Sequence, residues 1–353
     1  MSRRPGLFAL VAALAAAQPT HAAAATSCVP KDLAALAGWN GVWAVEGADA
    51  VDQGLSGRNG GVEYKLIGLS APWNDEGWAR MGAMLKRAAA PNVKQGGWGF
   101  PMMMDSFSEF TFVVSPAQTA IINQYREVRT IYTDGRGHPP QEDAWPTNWG
   151  DSTGCWDGDT LVIDTVDVRF DPMFNIAAPP LSDQTHFVER LRLVAPGRIE
   201  NEMTVTDPKY LTAPWVVRLT YIPAGIDRLV LDASQDRNDT VIQTITAPPK
   251  DDFVVEPLEK GVALSVAQLD GVVGRYVIAG TPIEFEFVRK EDRLYFQPPG
   301  FAALIPMIAQ SPLVFVPIAG GEIRFIADAS GRVTGFEATQ PDGTVVKGPR
   351  KTS

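Results

Sequence analysis

The sequence predicts a mostly β protein built as two antiparallel β-barrels, the larger one N-terminal and carrying a short helix. Three observations lead there. Short segments of alternating apolar and polar residues follow one another at hairpin spacing. The 32 glycines and 28 prolines of the 353-residue chain favour turns over long helices. One pattern, L-x-G-x-x-G-x-aromatic, occurs twice, at Leu36–Trp43 and at Leu269–Tyr276. In a closed barrel, a glycine two residues before an inward aromatic lets the first strand bend while the ring plugs the end.

Taken in order, the chain opens on a leader-like stretch. Arg3 and Arg4 precede an apolar run from Leu7 to Ala17, and Ala22 to Ala25 supply a small-residue cleavage pattern. Residues 1–25 are therefore expected to be a signal peptide, and the mature protein periplasmic or secreted. Residues 26–246 are assigned to the larger barrel, 247–260 to a linker rich in proline and charge, and 261–353 to a small accessory β-domain. In the first barrel, Asn74 is expected to cap a helix with Asp75 and Glu76 at its positive end and Lys86 and Arg87 at the other, stopped by Pro91. Its apolar face would be Trp78, Met81, Leu85 and Ala88.

Strands are expected at 110–114, 119–125, 128–133, 160–168, 186–194, 199–206 and 215–222. Turns at Asp134-Gly135, Asp157-Gly158 and Pro196-Gly197 separate them. In the second part, Ile283, Phe285 and Phe287 alternate with Glu284, Glu286 and Val288, and Leu294, Phe296, Phe315, Ile323, Phe325, Val333 and Phe336 continue the theme. This part contains no Trp, His or Cys. Its Glu284, Glu286, Arg293 and Arg324 are expected to be solvated, leaving it to prop the first barrel or to make a homodimer contact.

The formal charge of −10 becomes −12 once Arg3 and Arg4 leave with the leader. Such a chain lacks the clustered positive surface that nucleic acids or anionic membranes require. After the leader, no apolar run approaches the roughly 20 residues of a membrane-spanning helix. Cys28 and Cys155 would close a long loop if bridged in an oxidising compartment. The residues before Cys28 match a lipoprotein acceptor site poorly.

The middle of the chain carries a specific motif run: Arg129-Thr-Ile-Tyr-Thr-Asp-Gly-Arg-Gly-His138-Pro, then Asn148-Trp-Gly-Asp-Ser-Thr-Gly-Cys-Trp-Asp-Gly-Asp-Thr-Leu-Val-Ile-Asp-Thr165, then Thr185-His-Phe-Val-Glu-Arg190. It resembles a family of secreted bacterial proteins, with Asp157 standing where that family usually has Glu and Cys155 where it has another residue. The two G-x-aromatic starts resemble those of lipocalin-like, or calycin, barrels. The last hundred residues resemble the small lipocalin-like domain that follows some serine β-lactamase-like enzymes, where it is an accessory. A leader combined with this motif run also resembles secreted lyases of lignin-derived aromatic dimers.

Chemistry concentrates in the same stretch. Tyr132, Asp134, Arg136 and His138 lie within seven residues. This set reads either as an acid/base site, with a guanidinium to hold a substrate carboxylate, or as a hairpin turn whose histidine caps a loop. His186 and Arg190 share one face of a strand; if that face points into the barrel, burial would tune their proton affinity, and the alternative is a hydrogen-bonded structural histidine. Ser152 reads as a turn residue, and no nucleophile elbow or phosphate loop is present. Trp98, Phe100 and Met102 to Met104 look like pocket lining or core. With two mature histidines far apart and no C-x-x-C, no metal site is expected.

The expectation is an enzyme without metal or organic cofactor, a lyase or isomerase on a small aromatic acid. His138, His186 and Tyr132 would be catalytic, and Arg129, Arg136, Trp149 and Arg190 would bind substrate. The alternative is a non-catalytic binding protein for an apolar small molecule.

Overall fold

The computed structural model describes residues 33–46, 66, 68–88, 98–106, 108–170, 178–230, 255–297, 304–318, 320–339 and 343–351. The expected leader, Cys28 and residues 247–254 of the expected linker lie outside the described residues. Cys155 is disulfide-bonded.

Strands β1 (Val42–Val45), β2 (Phe110–Val114), β3 (Gln118–Asn123), β4 (Val128–Tyr132), β5 (Asp151–Asp157), β6 (Thr160–Val166), β7 (His186–Ala195), β8 (Arg198–Thr206) and β9 (Trp215–Pro223) form a closed barrel in sequence order. The ring closes where β9 pairs with β1, Ala44 opposite Ile222. Strands β10 (Gly274–Val277), β11 (Glu284–Lys290), β12 (Arg293–Gln297), β13 (Ile305–Ser311), β14 (Val314–Pro317), β15 (Glu322–Ala327), β16 (Val333–Thr339) and β17 (Val345–Pro349) form a second, nearly closed barrel. A bridge between Tyr276 and Arg350 brings its two edges together.

The repeated motif opens both barrels. Gly41 and Gly274 adopt φ of 129° and 147°, a region that disfavours any side chain. Each glycine turns the chain out of a preceding short helix, the 3-10 segment Leu33–Trp39 in one case and α2 (Val266–Val272) in the other. The inward aromatic then donates back to that helix: Trp43 Nε1 to the Trp39 carbonyl at 3.0 Å, Tyr276 OH to the Val272 carbonyl at 2.8 Å. Both bonds span four residues, so the two barrels share a plug as well as a motif.

Helix α1 (Asp75–Ala88) starts as expected, with the Asn74 side chain accepting from Gly77 N at 2.9 Å. Its apolar stripe, Trp78, Met81 and Met84, is buried in the first core. Leu258, Phe296, Ile305 and Ile318 from the C-terminal part pack on that same core. Arg293, expected to be solvated, is instead 5 % exposed and donates from Nη2 to the Leu258 carbonyl. No helix among the described residues is long and apolar enough to cross a membrane.

Two local expectations fail in the first barrel, and both shape the site. Ser152 is not in a turn; it lies in β5 with its side chain buried. Strands β4 and β5 pair in parallel, Ile131 opposite Ser152 and Tyr132 opposite Thr153. A parallel pair requires a crossover, so Asp134-Gly135 does not close a hairpin. Residues 133–150 instead carry the chain back along the barrel. This strap is tied by Thr133 N to the Ala117 carbonyl and, at its far end, by Thr147 N to the Asp167 carbonyl.

Candidate functional site

Alternation along β5, β6 and β7 sorts the polar residues onto two sides of one wall. Ser152, Thr165, Phe187 and Glu189 are buried, whereas Asp151, Thr153, Asp164, His186 and Arg190 are not. Of the two orientations left open for the face carrying His186 and Arg190, the outward one is found. Phe187, Glu189 and Leu191 take the inside because two of the three are apolar and Glu189 finds a buried cation.

That cation is Arg129. Fully buried, its Nη2 lies 2.5 Å from Glu189 Oε2 and 2.9 Å from Thr165 Oγ1, while Nε donates to Ser152 Oγ. The Phe100 ring centre sits 3.9 Å from the guanidinium carbon. Asn201 Nδ2 donates to the other oxygen of Glu189 at 3.0 Å and to Tyr221 OH at 3.2 Å. Burial raises the Tyr221 phenol far above its usual range, so it stays protonated. Arg129 thus belongs to a polar layer across the bore and does not face the outer wall.

On the outer side the strap lowers His138 onto the wall. His138 Nδ1 lies 2.5 Å from Asp151 Oδ1 and its Nε2 lies 3.0 Å from Asp164 Oδ1. His186 Nε2 reaches the same Asp164 oxygen at 2.8 Å. The result is a chain of alternating carboxylates and imidazoles, Asp151–His138–Asp164–His186, with every member partly open to water. Thr153 Oγ1 adds a contact to His138 at 3.4 Å. An ionised carboxylate only accepts, so His138 bonds both neighbours at once only as imidazolium; loss of one proton frees one contact.

The charges respond to this arrangement. The bond to Asp164 raises His186 above the ordinary histidine value, against the opposing effect of burial. Burial works to raise Asp164, but the bonds from His186 and His138 outweigh it and hold the carboxyl below its usual value. Asp167 is raised by burial and by the charge of Asp151.

The remaining expected residues divide. Arg136 is exposed and paired with Asp134 at 2.5 Å, its guanidinium stacked 4.2 Å over the Tyr132 ring. Arg136 and Tyr132 thus stand on the same outer side as the histidines. Arg190 is also outside, 3.4 Å from Asp157. Trp149 packs against the first core. Phe100 and Met102 to Met104 are buried core, and Phe100 also lines a cleft at the barrel end with Val168, Phe170, Leu181, Thr185 and Phe187. That cleft is little larger than a water molecule. Among the described residues, no three His, Cys, Asp or Glu side chains are arranged to hold a metal ion.

Asp151 and Asp164 escaped the sequence reading, although Asp164 carried a signal. In Leu161-Val-Ile-Asp-Thr165 a carboxylate alternates with residues that must face the core, which puts it on the same side of the sheet as a neighbouring strand's His186. No family model matches this chain, and no curated protein matches it. The chemistry accordingly rests on geometry.

Proposed function

We propose that the protein is an acid/base enzyme of the periplasm or the extracellular space, a lyase or isomerase acting on a small aromatic acid without metal or organic cofactor. The observation that carries this reading is the single carboxylate, Asp164, held by both His138 and His186. Asp164 favours the cationic form of His186, while a neutral His138 keeps only one of its two carboxylate contacts and frees a ring nitrogen to accept a proton, so the two imidazoles can divide the roles of acid and base. His186, whose cationic form Asp164 favours, is the acid. His138, carried by the strap and oriented by Asp151, is the base. The anion-holding role falls to Arg136, where a substrate carboxylate can exchange with Asp134, and not to buried Arg129. Tyr132 keeps the guanidinium plane in place. The leader-like stretch combined with the motif run resembles secreted lyases of lignin-derived aromatic dimers, which supports an aromatic substrate.

The test is turnover of a panel of aromatic acids by the full chain and by His138→Ala, His186→Ala and Asp164→Asn. Each variant is expected to lose about 10²- to 10⁴-fold in kcat/KM. Full activity in all three would remove the site. The binding-protein alternative draws on the Trp-rich interior of the first barrel, which holds Trp39, Trp43, Trp98 and Trp156. Recovery of unaltered ligand after prolonged incubation would favour it.

A further inference from the structure

The polar layer in the bore has valences that its own side chains do not use. Arg129 Nη1 is buried and has no partner, while Nε and Nη2 serve Ser152, Thr165 and Glu189. Asn201 is 1 % exposed, and its Oδ1 is likewise unpartnered. Its amide orientation is settled by Glu189: a carboxylate cannot donate, so the nitrogen faces Glu189 and the oxygen faces away. Tyr221 OH accepts from Asn201, and its own hydrogen has no acceptor among the described residues. Two spare donors and one spare acceptor therefore sit on three side chains joined through Glu189. Leaving such groups buried and unbonded costs about 1–3 kcal/mol each, and interior polar groups are as a rule satisfied.

We propose that this layer binds one neutral oxygen, accepting from Arg129 Nη1 and Tyr221 OH and donating to Asn201 Oδ1. An anion is the wrong class. The charge of Arg129 is already matched by Glu189, and the further negative charge of Asp105 acts on Tyr221 in the same region. A neutral oxygen with a hydrogen to give back fits the two-to-one set of donors and acceptor. That chemistry belongs to water and equally to the hydroxyl of a ligand. Phe100 makes the second source concrete, because one ring both covers the Arg129 guanidinium and lines the cleft at the barrel end. The cleft as it stands holds little more than a water molecule, so a phenol reaches Arg129 only where the Phe100 and Phe187 rings move apart to admit it.

A high-resolution crystal structure of the full chain tests the site, with one crystal left unsoaked and one soaked in phenol. The expected result is an oxygen about 2.7–3.2 Å from Arg129 Nη1 and from Asn201 Oδ1, lost in Asn201→Leu. An isolated peak unchanged by phenol assigns the oxygen to water. A peak that becomes continuous with a ring beside Phe100 assigns it to a ligand hydroxyl. A wild-type bore with no such oxygen, or with Arg129 Nη1 bonded to a protein acceptor, overturns the proposal whether or not the variant folds. Because the readout is density in the bore, it is independent of catalysis on the outer wall.

Discussion

The two barrels begin with the same motif and the same helix-to-aromatic hydrogen bond, yet they are filled differently. In the second, Tyr276 packs among Phe287, Phe325 and Phe336 with ring centres 5.3–5.7 Å apart. The charged side chain buried there, Arg293, reaches out to Leu258 and not across the bore. In the first, aromatics such as Trp39, Phe112 and Trp156 occupy one region, while Arg129 and Glu189 span another. A barrel of more strands has a wider bore, and here nine strands enclose the polar layer while eight enclose an apolar core of rings and aliphatic side chains. The difference teaches that a charge pair survives inside a barrel when successive strands supply its bonds. Ser152, Thr165, Glu189 and Asn201 come from β5, β6, β7 and β8 in turn.

The comparison breaks most directly at Glu189. Glu189→Ala strands the buried Arg129 cation and is expected to cost about 3–5 kcal/mol, read as a shift in the urea midpoint at unchanged slope. A paired replacement, Arg129→Met with Glu189→Leu, should recover most of that loss, since a matched apolar pair avoids the desolvation of both ions. A Glu189→Ala cost below about 1 kcal/mol would mean that the pair does not organise the bore.

The shared start can be sharpened by substituting alanine for its two glycines. Both positions carry strained φ, expected to cost about 1–3 kcal/mol. A Cβ on Gly274 would in addition meet the Arg350 guanidinium at 3.1–3.2 Å, whereas one on Gly41 meets nothing within 4 Å. Gly274→Ala should therefore lower the melting temperature more than Gly41→Ala, and the reverse order would contradict the described closure of the second barrel. A smaller effect is expected from Tyr276→Phe. It removes only the bond to the Val272 carbonyl, about 1 kcal/mol, and a larger loss would point to a role for the hydroxyl beyond the plug.

The smallest effect belongs to the outer wall. His186 is raised by Asp164, so its contribution is present below the ordinary histidine value and fades as pH rises through the higher folded value. Asp164 is lowered, so its contribution is present above the ordinary carboxyl value and fades as pH falls through the lower folded one. The pair therefore stabilises most between about pH 4 and 6.5. Both groups are more than a third exposed, which keeps the effect below about 1 kcal/mol. Asp164→Asn should flatten this dependence in unfolding titrations across that window. An unchanged profile would show that the two groups are not coupled in solution.

The local code of this chain was legible from the residues alone. Period-two alternation located seven of the nine strands of the first barrel within two residues, Asn74 announced α1, and the paired glycine-aromatic motifs marked both barrel starts. Strand β5 was missed because Asp151-Ser-Thr-Gly reads as turn chemistry, and only its pairing with β4 and β6 makes it extended. Alternation assigns residues to two faces but does not say which is inside. For His186–Leu191 each face holds a charge, and the choice fell to Glu189 because Arg129, 60 residues earlier in the chain, supplies a buried partner. The meeting of His138 with His186 is likewise a tertiary result. It depends on the parallel β4–β5 pairing, which turns residues 133–150 into a strap, and on Asp164 projecting outward from β6. The sequence by itself determined strands, caps and plugs, because those depend on neighbours a few residues apart. The tertiary structure decided bore, wall and site, because long-range pairing and the matching of buried charge depend on residues that only closure of the barrel brings together.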